Sequence, residues 1–77
     1  MQLDLRGKRA DEIEPELDSY INSASVSGLK EVRIVHGMAT GTVRKIVREF
    51  LSSHPLVRSY RPGERGEGGD GATVVKL

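Results

Sequence analysis

A short apolar strand, Arg33-Ile34-Val35, runs into His36-Gly37-Met38-Ala39-Thr40-Gly41 and directly on into an amphipathic helix that begins Thr42-Val43-Arg44-Lys45. A strand, a glycine-bearing turn and a helix in immediate succession point to helices packed on a sheet. Such a turn aims backbone N–H groups outward at the positive end of the helix dipole, which makes an anion seat. A histidine stands at its entrance and cationic side chains stand behind it. Those groups together suggest a phosphate, and in a small basic-faced domain a nucleic-acid phosphate.

The rest of the chain alternates regularly. Gln2 to Arg6 places Leu3 and Leu5 between polar residues and reads as a first strand closed by Gly7. Ala10, Ile13, Leu17, Tyr20, Ile21 and Ala24 recur at helical spacing, so a first helix covers residues 10 to 25. Pro15 falls inside it, which predicts either a kinked first turn or a regular helix that starts near Glu14. After Gly28, Leu29 to Val35 is apolar enough for a buried parallel strand. Val43, Ile46, Val47, Phe50 and Leu51 line one face of the second helix, which His54-Pro55 stops. Leu56 to Tyr60 reads as a third strand and Ala72 to Leu77 as a fourth. Residues 61–71 between them hold no apolar side chain and are expected to be mobile. The order βαβαββ predicts an α/β fold, a two-layer sandwich of two helices on a four-stranded mixed sheet. The first two strands would be parallel with a right-handed crossover, and the last two an antiparallel hairpin.

Size and charge narrow the function. Seventy-seven residues make one domain with a thin core. With no cysteine, neither a disulfide framework nor a thiolate zinc site can form, which fits a reducing compartment. No apolar run approaches the roughly 20 residues of a membrane span and no signal-peptide pattern opens the chain, so the expectation is a soluble, cytoplasmic domain without membrane partners. The net charge of +1 conceals a segregation. Between Ala10 and Glu31 six acids face Lys30 alone, a balance of −5; between Arg33 and Arg61 six bases face Glu49 alone, a balance of +5. A one-sided phosphate footprint needs such a division, although two solvated faces would look the same.

In a parallel pair the ends of the first two strands lie side by side. Asp4 and Arg6 share the parity that Leu3 and Leu5 avoid, so Asp4, Arg6 and His36 are expected to converge beside the glycine turn. A carboxylate, a guanidinium and an imidazole around an anion seat are the parts for phosphodiester cleavage. Each has a plainer reading. His36 can simply donate to a carbonyl at a strand end, Asp4 and Arg6 can be an ordinary ion pair, and Gly37 and Gly41 can serve the turn alone.

Leu3-Asp4-Leu5-Arg6-Gly7, then His36-Gly37 with Thr40-Gly41 heading a helix, then Gly68-Gly69-Asp70-Gly71-Ala72-Thr73-Val74-Val75-Lys76-Leu77, resembles the small MutS-related (Smr) domain over the whole chain. The closing stretch is most like the C-terminal endonuclease domain of the bacterial second MutS paralogue. The resemblance implies that residues 1–77 are a single nuclease domain at the C-terminal end of a larger protein, with the final strand lying inside the sheet. It also implies nicking or endonucleolytic cleavage of DNA or RNA, and as partners DNA, RNA, a ribosome and the rest of a MutS-like ATPase. Asp4, Arg6 and His36 would be the catalytic residues. Two departures stand out. Ala39 occupies a place usually held by glycine, where a left-handed backbone would strain it by about 1 kcal/mol. Arg9 occupies the place of a threonine cap, which touches stability alone.

The first functional expectation is therefore an endonuclease. Gly37, Met38, Ala39, Thr40 and Gly41 would hold the nucleic-acid backbone together with Arg44, Lys45 and Arg61, and Met38 offers a flexible apolar side chain to a sugar or base. Asp4 and His36 would share acid and base duty. One carboxylate cannot build a two-metal centre; no cofactor is required, and a single divalent cation (Mg or Mn) bridging Asp4 and phosphate is the one metal arrangement open to it. The alternative is a non-catalytic nucleic-acid or ribosome-binding module with the same cradle. No aromatic stacking platform discriminates RNA from DNA: Phe50 is assigned to the core, leaving Tyr20 and Tyr60.

Overall fold

A computed structural model describes residues 2–37 and 41–77. Four strands and two helices follow in the order β1 (Gln2–Asp4), α1 (Ala10–Val26), β2 (Glu31–Val35), α2 (Thr42–Ser53), β3 (Ser59–Pro62) and β4 (Ala72–Lys76). The sheet order is β1-β2-β4-β3, with β1 parallel to β2, and β4 antiparallel to both of its neighbours. This is the expected two-layer α/β sandwich, with the last strand inside the sheet.

Alternation along the strands sorts side chains onto two faces. Leu5, Val32, Ile34 and Val75 join Ile13, Leu17, Ile21 and Ala24 of α1 and Val47 and Leu51 of α2 in one buried cluster. Both helices therefore cover the same face. Phe50 is only partly buried against that cluster and tilts onto the His54 ring. The opposite face carries Gln2, Asp4, Arg33, Arg61 and Lys76, and Arg33 donates to the Gln2 side chain.

Element ends differ from expectation where local hydrogen bonds decide them. β1 stops at Asp4 because its carboxylate accepts the Arg6 N–H at 2.9 Å and turns the chain, after one more rung from Leu5 N–H to the Val35 carbonyl. α1 begins at Ala10 and continues through Pro15, so the later start near Glu14 does not occur. Glu12 makes the early start: its carboxylate accepts the Arg9 N–H at 2.9 Å, one half of a capping box. Arg9 has only donors and cannot supply the other half. At the far end, Gly28 N–H and Leu29 N–H bond the Ser25 and Ala24 carbonyls, a Schellman closure that delays β2 to Glu31. β3 starts at Ser59 rather than Leu56, because Leu56 N–H donates to His54 Nδ1 and Val57 N–H to the His54 carbonyl.

Residues 63–71 are closed by hydrogen bonds rather than left open. Gly63 N–H meets the Ala72 carbonyl, Gly69 N–H meets that of Glu64, and a 3-10 turn spans Gly69–Gly71. The Glu67 carboxylate accepts from Arg61 Nη1 at 2.8 Å and from Glu64 N–H at 2.8 Å. Charge pairing and turn hydrogen bonds take the place of the missing apolar contacts.

Candidate functional site

β1 and β2 run parallel, so their C-terminal ends meet where the chain leaves for α2. Asp4 and Arg6 come together there. Arg6 donates from Nε and Nη2 to both Asp4 oxygens, at 3.0 Å to Oδ1 and 2.8 Å to Oδ2, in a bidentate pair exposed to solvent. The Arg6 guanidinium and then its backbone N–H hold the Asp4 carboxyl down to about 2, and Asp4 in turn raises Arg6 above its ordinary value. Asp4 stays ionised and is a weak proton acceptor. Its geometry orients Arg6.

His36 is placed differently. The register sets Asp4 beside Val35, and neighbouring residues along a strand leave on opposite faces, so His36 turns to the helix-covered side. It is 5% exposed. Its Nδ1–H donates to the Gly37 carbonyl at 2.9 Å, and Nε2 accepts from Thr73 Oγ1 at 2.9 Å. Burial pushes the imidazole below its usual value, and Arg48 and Arg44 add to this; the Gly37 carbonyl opposes them. His36 is thus a neutral ring with both nitrogens engaged. Among the described residues nothing joins it to Asp4 or Arg6, so the expected convergence of all three is divided between two sheet faces.

The glycines mark the site's centre. Gly37 has φ of +79°, and a Cβ there would stand 3.4 Å from Arg6 Cγ. Gly41, the N-cap of α2, has φ of +73°, and a Cβ there would stand 3.8 Å from Arg44 Nη2. A side chain at either position is strained by the left-handed backbone, while its Cβ would meet the arginine at ordinary van der Waals distance. Arg6 and Arg44 therefore bracket the turn from its two ends. Lys45 is exposed beside Arg44 on α2. Met38, Ala39 and Thr40, and with them the question of backbone strain at Ala39, lie outside the described residues. Arg61 stands on β3, the other edge strand from β1, with its guanidinium held by Glu67; it is not brought to the turn.

Two residues of the site escaped sequence reasoning. The Gly71 carbonyl accepts both His36 N–H, at 3.0 Å, and Gly37 N–H, at 2.9 Å, and Thr73 is wholly buried against His36. A lone hydroxyl in the apolar run Ala72-Thr73-Val74-Val75 was the available signal, since a buried hydroxyl needs a partner. For a divalent cation the donor set does not fit. Asp4 is the one carboxylate at the turn and both its oxygens face Arg6. Among the described residues no three His, Asp or Glu side chains cluster.

Known proteins share this fold and sequence. The Smr domain family model matches residues 3–77. The chain is 46% identical over 77 residues to Endonuclease MutS2 of Caldicellulosiruptor saccharolyticus and 51% identical over 76 residues to Endonuclease MutS2 of Enterococcus faecalis, covering 100% and 99% of this chain. It spans about a tenth (10%) of the length of those curated relatives. The crystal structure of the Smr domain of Thermus thermophilus MutS2 superposes with a TM-score of 0.95 at 39% identity, over 99% of this chain and 95% of that one. YdaL, a stand-alone small MutS-related protein from Escherichia coli, superposes with a TM-score of 0.94 at 29% identity, over 99% of this chain and 63% of that one.

Proposed function

Because this chain belongs to the Smr domain family, we propose that it holds a nucleic-acid strand by its phosphates at the turn between β2 and α2 and cleaves a phosphodiester bond there. The observation that carries this reading is the pair of arginines at the two ends of the segment entering α2: the stem of Arg6 beside Gly37, its guanidinium aimed by Asp4, and Nη2 of Arg44 beside Gly41 at the helix N-terminus. Two guanidiniums beside an anion seat, Arg6 held in place by Asp4, stabilise the charge that grows on phosphate oxygens as water attacks phosphorus. Asp4 aims Arg6. His36 acts through its hydrogen bonds, tying the end of β2 to β4 so that the turn keeps its shape.

A non-catalytic binding module is the second reading. It is favoured by one observation: both His36 nitrogens and both Asp4 oxygens are already engaged, leaving neither as a free general base. Nicking of supercoiled plasmid and cleavage of single-stranded RNA, each with and without EDTA, separate the two. The cleavage reading expects product in EDTA as well, and its loss in Arg6→Ala and Asp4→Asn variants that remain folded by circular dichroism. Salt-sensitive binding without product in any form supports the binding module. Equal cleavage by Arg6→Ala and the parent chain overturns the site assignment.

A further inference from the structure

Thr73 is a polar residue in an apolar setting. Its neighbours along β4, Ala72, Val74 and Val75, are buried, and Thr73 itself is wholly shielded from solvent. A valine would fill the same space with no hydroxyl to satisfy. The register shows where that hydroxyl goes. Thr73 pairs with Ile34, and His36 follows Ile34 by two residues and shares its face, so Thr73 reaches the imidazole diagonally from one strand to the next. Oγ1 stands 2.9 Å from Nε2, and the other ring nitrogen, Nδ1, stands 2.9 Å from the Gly37 carbonyl. A carbonyl only accepts, so Nδ1 carries the proton, Nε2 is bare, and the Thr73 hydroxyl donates. One tautomer satisfies all three groups.

Gly37 is held at both of its backbone polar groups. Its N–H donates to the Gly71 carbonyl at 2.9 Å, and its carbonyl accepts from the His36 ring. Both restraints start at β4: Gly71 acts directly and Thr73 acts through His36. Gly37 opens the segment that leads into α2, with φ of +79° and the Arg6 stem beside it. Its orientation sets how the chain leaves β2 for the anion seat.

We propose that Thr73 is a positioning residue for the phosphate-binding turn: its hydroxyl locks His36 in the Nδ1–H tautomer, and the locked ring holds the Gly37 carbonyl. This rests on the nucleic-acid reading above and adds to its site a β4 residue that never touches the nucleic acid. Without the hydroxyl, Nε2 is a buried acceptor with no donor among the described residues. The ring relieves that by turning away or by moving its proton to Nε2, and either change releases the Gly37 carbonyl.

Two substitutions separate the hydroxyl from the packing. Thr73→Val removes the hydroxyl and keeps the volume; Thr73→Ser keeps the hydroxyl and removes a buried methyl group. Both are expected to lower the urea midpoint, so stability does not distinguish them. Heteronuclear NMR of the His36 ring nitrogens does, recorded well above pH 6.5 where the ring is neutral. The parent chain and Thr73→Ser should show Nδ1 protonated and Nε2 bare, and Thr73→Val should lose that pattern. Binding and cleavage of single-stranded DNA and RNA oligonucleotides are then measured where each variant is fully folded. Thr73→Ser should match the parent. Thr73→Val should bind several times more weakly at an unchanged salt slope, since no cation is removed. Its cleavage should slow by roughly ten- to a hundredfold, the effect of a misplaced turn. A parent that binds without cleaving leaves the affinity to decide. Parental affinity and rate in Thr73→Val, or an equal loss in Thr73→Ser, assigns Thr73 to packing and overturns the proposal while the nucleic-acid reading stands. A parent ring with Nε2 protonated overturns it as well. A parent chain that binds neither oligonucleotide overturns the nucleic-acid reading, and the proposal with it.

Discussion

Both nitrogens of His36 are committed, one to the Gly37 carbonyl and one to Thr73 Oγ1. Replacing Thr73 by valine keeps the shape and removes the one donor to His36 Nε2 among the described residues. Thr73→Val is expected to lower stability in urea by about 1–3 kcal/mol, the cost of a buried polar atom left unpaired. The ring also imposes a pH dependence. Its folded value lies below the ordinary 6.5. Above 6.5 both folded and unfolded chains carry a neutral His36; as pH falls through 6.5 the unfolded chain takes the proton first. Stability should therefore decline from pH 6.5 downward toward the folded value, and His36→Asn should lack this part of the decline in a pH series of urea titrations. Asp4 is ionised throughout that range, since Arg6 holds it at about 2.

At the scale of elements, α2 is built against its own dipole. Its first turn holds Arg44 and Lys45 and no acid, and its N-cap, Gly41, supplies no side-chain acceptor. Cations near a helix N-terminus are unfavourable, and function is the common reason to keep them there. Lys45→Glu should raise stability by about 0.3–1 kcal/mol while weakening nucleic-acid binding. A variant that is both less stable and equally tight would contradict this account of the helix. α2 was legible from periodicity because its apolar stripe is continuous from Val43 to Leu51. β3 was misplaced because Leu56 and Val57 look like strand residues, while the His54 ring draws them into a turn. The His54 ring does more than stop the helix. Its Nδ1 accepts the Leu56 N–H and its Nε2–H donates to Asp18 Oδ1 at 2.9 Å, so it also ties α2 to α1.

For the whole molecule, β4 is the keystone. The last strand in sequence is central in space, paired with β2 on one side and β3 on the other. Ala72, Thr73, Val74 and Val75 are all buried, and Gly71 anchors the strand end that carries His36 and Gly37. Deleting residues 72–77 removes the link between the two edges of the sheet. The expected outcome is a chain without cooperative unfolding by circular dichroism, whereas truncation of Leu77 alone should leave a folded domain. A truncated chain lacking 72–77 that still melts cooperatively would refute the dependence on β4.

Element type, element order and the glycine turn between β2 and α2 were determined by sequence alone. Apolar spacing of two or of three to four residues is a local property, and Gly37 and Gly41 mark a turn that other residues enter only with strain. Tertiary structure decided which of the site's side chains meet. Facing depends on register, and a shift of one residue sends a strand side chain to the other side of the sheet, so Asp4 and Arg6 emerge away from His36. Pairing depends on neighbours distant in sequence: Thr73 closes over His36 from 37 residues away. Glu67 takes Arg61 out of the proposed footprint. Arg48, a plain member of a charged helix face in the sequence, is left with a buried donor because packing covers its Nε without supplying an acceptor.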